Sequence, residues 1–203
     1  MAYSKAFNTL RARASSLRSQ FLPKRFSKLG AYSDKQLDGA RAFRVLIHAE
    51  IEYYLEVRAL EIANLSFNLW LNQSVPSNSL VSLLCNIIGE HTGLPRELGT
   101  KKTPSSVIGK AVAQYNHSVN NNNGIRSMNV LQILLPVGVL ESQIDPVWLS
   151  TTDGFAVKRG ATAHSTAISY QIDPRDDYQI IQQIIKGIKD IDKIMNSIIQ
   201  TLK

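Results

Sequence analysis

Between Gly39 and the turn around Pro76 the chain contains neither glycine nor proline. Its apolar residues there, among them Phe43, Leu46, Ile47, Ile51, Tyr54, Leu55, Leu60 and Ile62, with Leu37 just ahead, do not keep to one stripe. Most residues of the stretch are helix-compatible. Ser33-Asp34-Lys35-Gln36 stands ahead of it as a capping box, a hydroxyl cap with Gln three residues on. The spacing predicts a helix from about Asp34 to the late sixties. A helix apolar on several faces has to be central, and the rest of the chain must fold around it.

The remaining signals are also helical. Leu80 to Ile88 is a second apolar run, stopped by Gly89, Gly93 and Pro95. Thr103-Pro104, Asp145-Pro146 and Asp173-Pro174 each place a capping side chain before a proline at the first helical position. The first predicts a helix to about His117 and the second a helix running toward Arg159. The third opens the longest periodic pattern, a heptad-like seam of Ile181, Ile184, Ile188, Ile191, Met195, Ile198 and Leu202. Asn120 to Gly124 is a loop. Ser127 to Leu140 reads as two short helical pieces divided by Pro136. Strand-like alternation is confined to Ile168, Tyr170 and Ile172, too short for a sheet. The expectation is an all-α bundle with a loop-rich middle.

Charge is distributed unevenly. The first 32 residues hold seven of the 23 basic residues and none of the 16 acidic ones, so the net charge of +7 resides there. Two parts are expected, a basic helical segment over 1–32 and a helical domain over 33–203. Phe7, Leu10, Ala14, Leu17 and Phe21 form one stripe of a helix in that segment, with Arg11, Arg13 and Arg18 beside or opposite it. Three readings fit. The segment is a surface helix packing its stripe on the body, or an electrostatic footprint for RNA or another polyanion, or an Arg- and Ser-rich transit peptide. No run reaches the roughly 18 apolar residues of a membrane span, and no membrane partner is expected. The single cysteine, Cys85, excludes an internal disulfide and a cysteine-built zinc site, fits a reducing compartment and is expected to be buried.

Most catalytic patterns are missing. There is no Gly-rich phosphate loop, no strand–elbow serine and no His-x-x-x-His pair. Neither a metal nor a cofactor is expected. Two segments stand out. On the central helix Arg44, His48, Glu52 and Glu56 are spaced by four and share one polar stripe. Its plain reading is a satisfied ladder in which Glu52 pairs with His48 or Arg44, since buried charges are seldom left unpaired. The other segment is Phe155-Ala156-Val157-Lys158-Arg159, continuing to His164. Its plain reading places Arg and His at the negative end of a helix dipole.

Arg159-Gly160-Ala161-Thr162-Ala163-His164 resembles the R-x(4–6)-H signature of HEPN-superfamily ribonucleases. Trp148-Leu149 and Phe155 to Arg159 resemble the segment leading into it, and His48-Ala49-Glu50-Ile51-Glu52 resembles the first core helix of the RiboL-PSP branch. The resemblance spans roughly residues 33 to 203. It implies a dimeric helical domain with two Arg–His motifs facing each other, acting as a metal-independent endoribonuclease of the cytoplasm in a toxin–antitoxin or anti-phage setting, with an antitoxin or defence protein as partner. It implies catalytic roles for Arg159 and His164. His48, Glu50, Glu52 and Arg44 would support them, and Arg11, Arg13, Arg18, Lys24, Arg25 and Lys158 would contact RNA. The main departure is Gly160, where a polar residue, commonly Asn, often follows the Arg. A non-catalytic HEPN-like RNA-binding or regulatory module is the alternative.

Geometry sets one condition. Five residues along an ideal helix turn about 500°, which leaves positions 159 and 164 about 140° apart. They converge if the helix breaks, for which Gly160 is the natural place, if Arg159 reaches round, or if a second copy supplies the partner.

Overall fold

The structure is a computed structural model. It describes the backbone of residues 2–90, 103–164 and 172–203, and the side chains of 2–87, 103–162 and 172–203. Seven α-helices and one 3-10 turn occur among the described residues, with no strand: α1 (Lys5–Phe21), α2 (Asp34–Gln73), α3 (Asn78–Glu90), α4 (Pro104–Asn120), α5 (Ser127–Leu134), a 3-10 turn (Glu141–Gln143), α6 (Pro146–His164) and α7 (Pro174–Gln200). The protein is all-α. Of the short alternation, Ile172 is described and is not in a strand, while Ile168 and Tyr170 lie outside the described residues.

The helices begin where the caps place them. Thr103 accepts from Ser106 N–H at 3.2 Å. Asp145 accepts from Val147 N–H at 2.8 Å and Asp173 from Arg175 N–H at 2.7 Å, each satisfying an amide that the first turn leaves orphaned. Gln36 closes the capping box by accepting from Ser33 N–H at 3.0 Å.

The chain divides into two compact units. The first comprises residues 1–54, 124–129 and 144–193, the second 55–123, 130–143 and 194–203. In the first unit α1 buries Phe7, Leu10, Ala14 and Leu17. The apolar stripe is therefore core, the surface-helix reading of the basic segment. Residue Phe7 meets Tyr54 edge-on, with centroids 6.2 Å apart. The carboxylate of Asp192, fully buried on α7, holds the start of α1: it accepts from Ser4 N–H at 2.9 Å, from the Ser4 hydroxyl, and from Tyr54 O–H at 2.9 Å. At the other end of α1 the carbonyl of Phe21 lies against Gly39, where a Cβ would collide with it.

Helix α7 buries Ile181, Ile184, Ile188, Ile191, Met195 and Ile199, and Leu202 just beyond its end is also buried. The seam ends on Ile199 rather than Ile198, because a 3.6-residue helix drifts away from a 3.5-residue repeat. The seam is occupied by the chain's own core. Gly187 faces α6, and the indole of Trp148 fills the space its missing side chain leaves, donating to Ile184 C=O at 2.9 Å.

In the second unit α3 packs on α4. Tyr115 O–H donates to Ile133 C=O at 2.6 Å and the Ser82 hydroxyl to Leu135 C=O at 2.9 Å. After α5 the chain turns through Gly138, at φ +93°, and then makes one 3-10 turn, so the second helical piece expected before Leu140 does not form. Cys85 is exposed, contrary to expectation. The inward positions of α3 are Leu80 and Leu83, and residue 85 lies about 140° around from residue 80.

Candidate functional site

The site is built within the first unit, from α2, α6, the start of α7 and the segment 124–129. On α6, Trp148, Thr152, Phe155 and Ala156 recur at helical spacing and are buried. Arg159 is the next position on that stripe and is half-buried. Helix α6 runs unbroken through Gly160 to His164. Gly160 has no left-handed φ, and nothing lies within 4 Å of where its Cβ would be. Of the three routes to convergence, a break at Gly160 is absent, and positions 159 and 164 keep their separation of about 140°. His164 is the last residue of α6, and its side chain lies outside the described residues.

The polar stripe of α2 is divided among different partners. Arg44, only 2% exposed, binds Asp177 on α7 through Nη2 at 2.7 Å and Nε at 2.9 Å. Its Nη1 donates to Thr162 Oγ1 at 2.8 Å and to Lys158 C=O at 3.3 Å. One guanidinium thus ties the last turns of α6, on either side of Arg159, to the first turn of α7. Burial pushes the Asp177 carboxyl up, and the Arg44 hydrogen bond and charge pull it back. Glu52 was expected to pair with His48 or with Arg44, and of the two it lies beside His48. Glu52 also accepts the Gly124 N–H, and Gly124 adopts φ +125° there. Ser127 carries the same segment to α6, its N–H donating to Asp153 Oδ1 at 3.1 Å. Glu50 points elsewhere and binds Arg13 at 2.8 Å near the surface. Glu56 belongs to the second unit, where Asn122 donates to it at 2.9 Å.

His48 is 2% exposed, its ring stacked on Phe155 with centroids 6.3 Å apart. Its Nδ1 lies 3.7 Å from Glu52 Oε2, beyond hydrogen-bond reach, and has no hydrogen-bond partner among the described residues. Burial, and then the Arg159 charge, lowers its pKa from 6.5 to about 4, so it is neutral near pH 7. Arg159 Nε is also buried and unpartnered among the described residues.

The site brings Arg44 to Lys158 and Thr162, and His48 to Glu52 and Phe155, with the Arg159 charge acting on that ring. It does not include Glu50, and Arg44 is a clamp. No chain-local signal pointed to Asp177 or Gly124: an acid in the first turn of a helix and a loop glycine are each ordinary in sequence.

No family model, curated protein or solved structure matches this chain.

Of the basic residues, Arg13 is taken by Glu50, and Arg18 lies over Phe26 and Tyr178 at 4.7 and 5.1 Å from their ring centroids. Arg11, Lys24 and Arg25 are exposed, and Lys158 is half-buried. Among the described residues no three His, Cys, Asp or Glu side chains converge as a metal site would need, and no helix is long and apolar enough to cross a membrane. An open cavity of about 230 Å³ beside Trp148, lined also by Asp145, Thr151, Lys186 and Asp190, contains none of the candidate residues.

Proposed function

We propose that this chain is a HEPN-like, metal-independent endoribonuclease of the cytoplasm, acting as a homodimer in a toxin–antitoxin or defence setting. The observation that carries the reading is the half-buried guanidinium of Arg159, with Nε unpartnered among the described residues, beside a histidine kept neutral. A guanidinium so placed suits a phosphodiester, which it can bind through two N–H groups while stabilising charge that grows on the oxygens. In the reaction the RNA 2′-hydroxyl attacks the adjacent phosphorus and its proton passes to a base. The bond to the 5′-oxygen breaks and that oxygen takes a proton. The products are a 2′,3′-cyclic phosphate and a 5′-hydroxyl. His164 is assigned the acid–base role, since an unperturbed imidazole titrates near pH ~6.5. With α6 unbroken, the second copy supplies the His164 that faces each Arg159.

The test is cleavage of end-labelled RNA in EDTA. Wild type should cut and leave cyclic-phosphate ends, while Arg159→Ala and His164→Ala should be folded and inactive. Cutting by both variants would refute the site.

The unbroken α6 also favours the second reading, a non-catalytic RNA-binding module. It predicts binding without cleavage and a steep dependence on salt. Nothing blocks a side chain at Gly160, so Gly160→Asn should fold and show whether the missing polar group limits cleavage. Because α1 contributes core, the basic footprint is tested by Arg11→Gln, Lys24→Gln and Arg25→Gln together and not by deletion. Each lost phosphate contact to single-stranded RNA should reduce the salt slope by about 0.7.

A further inference from the structure

We infer that Arg44 and Thr162 are positioning residues for Arg159: together they lock the turn of α6 from which Arg159 departs, so that its guanidinium is presented to a phosphate in one fixed direction. The inference rests on Arg159 being the phosphate ligand, and it deepens that reading.

The clamp takes hold on both sides of Arg159. Lys158, one residue before it, and Thr162, three residues after it, lie one above the other on the face of α6 turned to Arg44. The Thr162 hydroxyl donates to Lys158 C=O at 2.8 Å and accepts from Arg44 Nη1 at 2.8 Å, and Nη1 also donates to that carbonyl at 3.3 Å. Two points one turn apart fix the rotation of the helix about its axis. Arg159 departs from between them, about 60° around the axis from Thr162.

The guanidinium of Arg44 cannot swing. Its Nε and Nη2 donate to the two carboxylate oxygens of Asp177 at 2.9 and 2.7 Å, and both side chains are buried. A bidentate pair sets the guanidinium plane, and with it the direction in which Nη1 points. The turn needs such a hold. Helix α6 ends at His164, and the last turn of a helix carries carbonyls without intrahelical partners and frays. A turn that frays or twists carries the Arg159 side chain with it. Ordering that side chain only when the ligand arrives weakens binding, and fixing its base beforehand removes part of the loss.

Stability does not account for the buried pair. Apolar side chains of similar volume in place of a buried ion pair are often neutral or stabilising, so an Arg and an Asp are not needed to hold α2 to α7. What apolar side chains cannot supply is the third arm, a donor to Thr162 and to the Lys158 carbonyl.

The experiment separates position from stability. Thr162→Val keeps the branched shape and removes the hydroxyl, and Thr162→Ser keeps the hydroxyl. Arg44→Met with Asp177→Leu removes the clamp while keeping the site packed. The probe is a 2′-O-methyl RNA trinucleotide, which cannot be cut, and Arg159→Gln should abolish its binding. Thr162→Val should weaken binding about fivefold, the fold-change of one hydrogen bond, and Thr162→Ser should bind as wild type. The double variant should bind about tenfold more weakly although its unfolding midpoint stays near that of wild type. Nitrogen relaxation at the Arg159 Nε–H is the second readout, with faster motion in Thr162→Val and in the double variant than in wild type or Thr162→Ser. Wild-type affinity in Thr162→Val or in the double variant, or unchanged Arg159 motion in both, overturns the inference alone. No binding by wild type, or binding that Arg159→Gln leaves intact, overturns the phosphate role of Arg159, and the inference with it.

Discussion

Gly187→Ala should destabilise this protein, although helix propensity alone says the reverse. In an exposed helix the change would add about 1 kcal/mol of stability. Here the new Cβ falls inside the indole of Trp148, closest to Cδ1, Cγ and Nε1. Trp148 is 5% exposed and its Nε1–H is bound to Ile184 C=O, one turn before Gly187, so the ring has nowhere to move while keeping that bond. Overpacking costs about 1–3 kcal/mol, and stranding a buried N–H costs about 1–3 more. Subtracting the helix gain leaves a loss of about 3 kcal/mol, or roughly 6–12 °C in Tm for a chain of this size. Urea unfolding followed by far-UV circular dichroism measures it, with near-UV dichroism reporting the indole. Gly160→Ala and Gly154→Ala on α6 serve as controls: nothing lies within 4 Å of either Cβ, and each should add about 0.5–1 kcal/mol. The double variant Trp148→Ala, Gly187→Ala should lose less than the two single losses together. A midpoint for Gly187→Ala equal to or above that of wild type would refute the seating of Trp148 on α7.

Arg44→Ala leaves Asp177 buried without its cation and should cost about 3–5 kcal/mol in chemical unfolding, while Arg44→Met with Asp177→Leu should recover most of it. His48 has a folded pKa of about 4 against 6.5 unfolded, so below pH 6.5 the unfolded chain takes up a proton that the folded one resists, and stability falls as pH drops toward 4. By pH 5 the loss is about 2 kcal/mol relative to pH 7.5, and it should vanish in His48→Gln; equal losses in the two proteins would refute the burial of that ring. Asp192→Ala removes the acceptor of both Ser4 groups and of Tyr54 O–H. It should cost about 1–3 kcal/mol and speed amide exchange selectively along α1.

Much of the secondary structure was legible in sequence. Thr103-Pro104, Asp145-Pro146 and Asp173-Pro174 marked three helix starts because a cap and a proline act on amides within one turn. The stripe Phe7–Leu17 was readable because the helical period alone decides which residues share a face. Positions that depend on exact phase were less so: Ile199 replaces Ile198, and Cys85 faces outward.

Partners were not legible. Arg44 had Glu52 as a candidate on its own helix, and its partner proved to be Asp177, 133 residues away. Glu52 lies beside His48, one of its two expected partners, but also takes a loop amide, and the His48 ring stacks on Phe155 of α6. Of the two segments singled out in sequence, the structure joins Phe155, Lys158 and Thr162 to the stripe of α2. The sequence by itself determined where helices begin and which faces they bury, because those depend on neighbours within a turn. Only the tertiary structure decided which charge is paired, which histidine is neutral and which glycine is indispensable, because each depends on what another helix brings within a few ångströms.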